Sequence, residues 1–452
     1  MSQNEIKSDG SGSETAVVID DKLLDTEAII PVLADADTLS DGSIPIPDGG
    51  LWAWLAILGG WSMNFCTVGY STSFGVCQDY YVLAGASTNS NISWIGSLQL
   101  FLTFIVGLPA GRLFDLGYFR PVVTLGSFLF VFSLFMLSLA DPSSYYQLLL
   151  SQGIGMGLAG GLLLTPSLAI QSHYWKKRRA MALGIVQSGS PFGGVVYPIM
   201  LNRLFNGSAG FAWGIRASAF LSLGLLLIAN CIMRTRLPGG KNRLEGSKPS
   251  VKSIMTHKPY VLAVLAMICL QLGIFFPYFY LQSWSRYYNL SDTLAFYMIA
   301  ILNTGAVFGR MIPNAIADYA GQLNTFCPMI CVTAILLFAM FGTTTPGAIV
   351  IFAILYGFFS GACLSLLPAA LSLMAKTPAE VGNRIGFCFF IMSFATLTGN
   401  PIDGALLGPN NQWYKALLFN GILMVVGSSL LLTSRWLLAK ERGTQLLYLT
   451  PP

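Results

Sequence analysis

Residues 111–120 read Gly111-Arg112-Leu113-Phe114-Asp115-Leu116-Gly117-Tyr118-Phe119-Arg120, a short polar break between two long apolar runs. About two hundred residues later the plan returns as Asn314-Ala315-Ile316-Ala317-Asp318-Tyr319-Ala320-Gly321. In each stretch an Asp follows a small or polar residue by four positions and precedes a Gly by two or three. Each also falls after the second apolar run of its half of the chain. A signal repeated at that distance points to a duplicated unit rather than to two unrelated turns.

What surrounds the two breaks identifies the solvent. Of 452 residues, 54% are hydrophobic and only 10% charged, against about 25% charged in soluble domains. Runs of about 20 apolar residues cross a bilayer as helices. Twelve such runs are expected, at about 51–77, 92–112, 121–140, 146–171, 179–201, 213–234, 259–282, 294–316, 323–342, 347–373, 382–406 and 413–438. Lys and Arg orient them. With the N-terminus cytoplasmic, twenty of the 25 fall in the tails, in the even-numbered, inward loops or at the span ends that meet them. Arg203, Arg286 and Lys415 face outward, and Arg216 and Arg310 lie within spans. The expected organisation is therefore a disordered acidic cytoplasmic head over 1–47, a six-helix bundle over 48–234 and a basic cytoplasmic linker over 235–258. A second six-helix bundle over 259–438 and a cytoplasmic tail over 439–452 complete the chain. The eight cysteines all lie in apolar runs without a CxxC pair and read as packing residues. The expected setting is the plasma membrane.

Two halves of six spans, with Gly-x-Leu-x-Asp-x-Gly in the second–third loop, resemble the major facilitator superfamily. Pro47-Asp48-Gly49-Gly50-Leu51-Trp52-Ala53-Trp54 resembles the first signature of its monocarboxylate-porter branch. The stretch HYWKKRRAMALGIVQSGSPFGG, His173 to Gly194, is similar to the second signature. The resemblance covers roughly 47–438 and looks like the fungal members. It implies an all-α membrane protein of two pseudo-symmetric six-helix bundles. It also implies a functional Arg in the eighth helix, where this chain has Arg310. The sequence departs from the animal members in two ways. No Lys or Arg occurs between Asp48 and Asp79, with Thr72 near the position of their first-helix Lys, and Ala306 stands where they place an Asp. Their proton-coupling set therefore does not carry over.

Duplicated transporters bind solute near the midplane between halves, and ionisable groups within the membrane are costly enough to be functional candidates. Arg310 is the leading one. Asn303 and Asn314 share its helix face, and Gly305 and Gly309 leave room for a neighbour or a solute. A guanidinium matches a carboxylate with two parallel hydrogen bonds. The alternative is an Arg snorkelling inward or pairing with Asp318. Asn64, Tyr70, Gln187, Tyr278, Tyr280, Asn400 and Asp403 could line a larger cavity, with Asp403 near the outer end, where it would be merely solvated. The gating candidates are Asp48, Gly111, Asp115, Gly117, Arg120 and Asp318. Asp48 reads either as a cap for its own helix or as a contact to an inward loop, and Lys176-Lys177-Arg178-Arg179 as a topology signal and lipid-headgroup contact.

These features indicate a secondary transporter working by alternating access. Its partners would be a small organic acid or related metabolite and membrane lipid, with protons as a candidate coupling ion and no nucleic acid. Export of a bulky fungal secondary metabolite is one alternative, supported by Gly189-Ser190-Pro191-Phe192-Gly193-Gly194, which is similar to an exporter motif. A transporter-like nutrient sensor is another. No nucleophile–base pair, metal-ligand cluster or phosphate-binding loop occurs in the sequence, so an enzyme, a metal site, a cofactor or an ATP-driven pump is not expected.

Overall fold

A computed structural model describes residues 46–236, 251–375, 378–408 and 412–443. The acidic head up to 45, most of the linker and the tail beyond 443 lie outside the described residues. Those described form helices and turns, with no strand among them.

Eleven helical runs are long and apolar enough to cross a membrane: Leu51–Leu83, Asn91–Asp115, Phe119–Leu139, Tyr145–His173, Gly210–Ile232, Lys258–Tyr287, Asp292–Ala320, Gln322–Gly342, Pro346–Leu373, Arg384–Leu407 and Trp413–Arg442. Between the fourth and fifth of these lies a further helix, Arg179–Phe205, whose Gly, Ser, Gln and Pro content lowers its hydropathy. Its buried face, including Gln187, Ser188 and Ser190, meets protein rather than lipid. Together these make the twelve spans, named below by ordinal with Arg179–Phe205 as the fifth. Several extend past their expected ends; the last runs to Arg442, not 438, because its final turn carries Lys440 and Arg442, which suit the negative end of a helix.

Buried apolar side chains of one core cluster all come from residues 53–233. The two other clusters draw on residues 254–438, apart from Ala180. Glycines set the closest approaches. A Cβ at Gly189 or Gly193 of the fifth span would run into the backbone of Trp61 or Phe65 in the first. Gly157, Gly160 and Gly161 of the fourth lie against Gln99, Thr103 and Val106 of the second. The eighth and tenth spans interlock reciprocally. Gly305 and Gly309 face the carbonyls of Ile354 and Phe358, and Gly357 and Gly361 face Leu302 and Ala306. Gly305 and Gly309 therefore make room for a neighbouring helix, as small residues do wherever lipid offers no hydrophobic drive. The second–fourth and eighth–tenth contacts occupy equivalent places in the two halves.

Two further features repeat. Gly117 and Gly321 both take positive φ, +95° and +93°, closing the helices that end in the duplicated Asp motif. The first and seventh spans are both broken, after Ser71 and after Gly273. In the first, Thr72 and Ser73 turn their hydroxyls back onto the carbonyls of Gly69 and Tyr70, which competes with the helix ladder. In the seventh, Pro277 lacks the N–H the ladder needs.

Candidate solute pathway and its gates

At one end of the molecule two carboxylates bind the segment that joins the fourth and fifth spans. Asp48 does not cap its own helix. The N-cap there is Gly50, with φ +89° and no side-chain bond, and Asp48 itself has φ +50°. This backbone turns the carboxylate away, and Oδ1 accepts the N–H groups of Lys176 and Lys177, both at 2.6 Å. Asp318, at the end of the eighth span, accepts the N–H of Ala180 on Oδ1 and of Met181 on Oδ2, both at 2.9 Å. Those are free donors in the first turn of the fifth span, where the helix dipole also favours an anion. Two carboxylates far apart in sequence thus hold one short segment, and they lie close enough to repel each other. Asp115 ends the second span, Gly117 lies in the loop after it and Arg120 in the first turn of the third span, all three exposed. A Cβ at Gly111 would touch Thr165 of the fourth span at 3.3 Å. The interfacial tryptophans are held here too. Arg234 lies over the Trp52 ring at 4.6 Å, and Trp54 meets Trp175 edge-on at 5.6 Å.

Beyond this segment, towards the middle of the spans, sits a polar knot. Arg310 is 7% exposed. It neither snorkels nor pairs with Asp318: it donates from Nη1 to the carbonyl of Gln187 at 2.8 Å. The Gln187 side chain donates to the carbonyl of Ser365 at 3.1 Å. Asn314 donates to the Arg310 carbonyl at 2.8 Å and to Ser365 Oγ at 2.5 Å. The fifth, eighth and tenth spans are cross-linked by this set. Arg310 Nε has no acceptor, and no carboxylate lies within ion-pair distance of the guanidinium among the described residues. Seven residues nearer the other end, Asn303 contacts the Gly194 carbonyl at 3.4 Å. A Cβ at Gly194 would meet both Asn303 and Thr72 Oγ1, so the first, fifth and eighth spans converge there.

From that point a cavity of about 170 Å³ opens towards the other end. Its wall includes Thr72, Ser73, Phe74, Ser97, Tyr278 and Tyr280, with Asn400 on the eleventh span. It leads into a wider mouth of about 610 Å³, where Arg286 Nε donates to Asp292 at 3.1 Å. The first span contributes its break, Thr72 and Ser73, so irregular backbone lines a cavity instead of facing lipid, and the seventh contributes residues that follow its break, Tyr278 to Ser283. Tyr278 links the cavity to the knot below. Its hydroxyl bonds with Ser360 at 3.1 Å and feels the charge of Arg310.

Three expectations require correction. Tyr70 packs edge-on against Phe130 and Tyr197 inside the first half, fully buried and away from the cavity. Asn64 donates to Ser167 of the fourth span at 3.1 Å and to the Gly60 carbonyl, again within the first half. Asp403 is only 1% exposed, because the twelfth span covers it and Asn420 donates to Oδ1 at 2.6 Å. Gln78, Gln282 and Ser283 also line the cavity and were missed. They follow the two helix breaks in sequence, and the breaks were the available signal.

The sequence profile of the Major Facilitator Superfamily matches residues 50–366. The chain belongs to the Major Facilitator Superfamily. The match is to the superfamily as a whole, not to the monocarboxylate-porter branch. This transporter is 41% identical over 390 residues to the aspyridones efflux protein apdF of Emericella nidulans, covering 86% of this chain and 78% of that one. It is 36% identical over 401 residues to the fujikurins efflux protein of Gibberella fujikuroi, covering 88% and 85%. It is 35% identical over 408 residues to the agnestins efflux protein AgnL12 of Paecilomyces divaricatus, covering 89% and 92%. Among solved structures, the human organic anion transporter MFSD10 aligns at TM-score 0.65 and 12% identity, over 85% of this chain and all of that one, a likeness of fold. The protein is thus a multi-pass membrane transporter, built as the two-bundle all-helical fold of this superfamily.

Proposed function

We propose that this transporter exports a bulky, weakly acidic secondary metabolite by alternating access. The observation that carries the reading is the asymmetry of the pathway: a mouth of about 610 Å³ leading into an aromatic and amide-lined cavity of about 170 Å³ at one end, and two carboxylates clamping the other. With both termini cytoplasmic and the boundary between bundles in the basic linker, the clamped end faces the cytoplasm and the cavity faces outward. A cavity walled by Phe74, Tyr278, Tyr280 and Phe296 suits fused or aromatic rings better than a short carboxylate. The efflux roles in the names of its relatives support the same direction. Arg310, uncompensated and one step below the cavity floor, is the group that would meet an acidic or enolic oxygen as the halves rock, and protons are the proposed driving ion. The plasma membrane is the proposed location.

The test is transport of the aspyridones in inside-out vesicles from cells expressing the protein. Accumulation that requires a proton gradient and exceeds that of empty-vector vesicles supports export. Uptake of lactate or pyruvate in preference to the polyketide would overturn it. A terminal tag cleaved by protease added to intact cells would overturn the orientation.

A further inference from the structure

Among the described residues, Asp403 is the one carboxylate sealed inside a span without a cation, and the gates described above make no use of it. Asn420 Nδ2 donates to Oδ1 at 2.6 Å, while Oδ2 has no donor among the described residues. No Lys, Arg or His lies within ion-pair distance of it among those residues. An ionised carboxylate in such a place is expensive unless paired and fully hydrogen-bonded. One donor and one orphaned oxygen is instead the pattern of a neutral acid, whose second oxygen carries the proton. The groups facing it can be named by helix. The seventh span brings Tyr280 and the tenth brings Tyr356. The twelfth brings Asn420, its exposed Lys415 lying over Tyr414. The ionisable residues of the second span, Arg112 and Asp115, sit at its opposite end.

The site also has a route to solvent. Asn400, three residues before Asp403 and on the same helix side, lines the outer cavity, as does Tyr280. The Tyr280 hydroxyl approaches the Asn400 carbonyl at 3.4 Å, and a Cβ at Gly404 would lie 3.3 Å from that hydroxyl. Asp403 is thus one helical turn behind the wall of the open cavity. Nor does the helix need a carboxylate there. The fifth span, which holds the equivalent place in the first half, carries the same Pro-Ile step as Pro198-Ile199 but continues with Met200.

We propose that Asp403 is the proton-binding site of this transporter. A proton from the open cavity adds to Oδ2, giving a neutral carboxylic acid with no other bond made or broken. It leaves from the same oxygen when the cavity faces the other side. This inference rests on the proton-driven export proposed above, and two measurements separate them.

The first needs no solute. Infrared spectra of purified wild-type protein near neutral pH should contain a protonated-carboxyl C=O band that is missing from Asp403→Asn. The same band should shift in Asn420→Leu, which removes the donor to Oδ1, so the assignment survives even if the first variant does not fold. A band unchanged in both variants overturns the site. The second uses liposomes loaded with a pH-sensitive dye and the aspyridones as solute. Solute movement in the wild type should change the internal pH. Asp403→Asn should lose that change and Asp403→Glu should restore it. A persistent pH change in Asp403→Asn overturns the site. Aspyridone movement without any pH change in the wild type refutes proton coupling, and the site proposal falls with it even if the infrared band behaves as expected. An absence of aspyridone movement refutes the choice of solute and leaves the infrared result to decide the site.

Discussion

Replacing Asp318 should release the clamp at the closed end. The carboxylate takes two backbone N–H groups, those of Ala180 and Met181, each at 2.9 Å. Charge-assisted bonds of this kind contribute about 1.5–3 kcal/mol each. Asp318 is only half-buried, and solvent screening reduces exposed electrostatics. The pair together is therefore assigned about 1.5–3 kcal/mol. At ~1.4 kcal/mol per factor of ten, Asp318→Ala should raise the ratio of released to clamped fifth-span ends by about 10- to 150-fold. Asp318→Asn keeps one acceptor oxygen but no charge, and should fall between alanine and wild type. The assay is amide hydrogen exchange of the protein in nanodiscs, followed on the peptide containing Ala180 and Met181. Exchange there should accelerate by the same factor, while peptides of the fourth-span core change little. Asp48→Ala should accelerate exchange at Lys176 and Lys177. The double variant should be more than additive, because each single change already relieves the repulsion between the two carboxylates, which can be relieved only once. If exchange at Ala180 and Met181 is unaltered in Asp318→Ala, the clamp does not hold this end shut, and the gating argument fails.

Arg310→Lys should weaken binding of an acidic solute by about 1.5–3 kcal/mol, since Lys keeps the charge and loses the planar two-pronged donor. A neutral amide analogue should change far less, and equal losses for acid and amide in a nanodisc binding assay would reduce Arg310 to a structural role. Gly309→Ala drives a methyl into the Phe358 carbonyl of the tenth span and should cost about 1–3 kcal/mol through overpacking, read as a lower melting temperature in detergent; an unchanged midpoint would mean that the eighth–tenth contact is loose. Gly117→Ala and Gly321→Ala place a side chain at φ +95° and +93° and should each cost about 1–3 kcal/mol, measured the same way. Matching losses at the two sites are the expected mark of the duplicated turn.

Composition and hydropathy by themselves determined that the chain lives in a membrane, that its spans come as two comparable sets, and that its loops carry an oriented charge. These are properties of long stretches, and a bilayer punishes any other reading of them. The Asp-Gly repeat was equally legible, because a left-handed glycine is a local requirement that each half meets on its own. Individual side chains were a different matter. Asp48 read as a cap for its own helix or as a loop contact, and sequence could not choose the second, since its partners, Lys176 and Lys177, lie 128 and 129 residues away. Tyr70 and Asp403 were both misplaced, because a position along a helix fixes depth in the membrane but not which face meets a neighbour. Tyr70 turned into the first half. Asp403 was covered by the twelfth span, whose Asn420 decides what its carboxylate can do. Only the packing of helices against one another could settle those faces, since burial and pairing inside a bilayer depend on the neighbour a side chain meets.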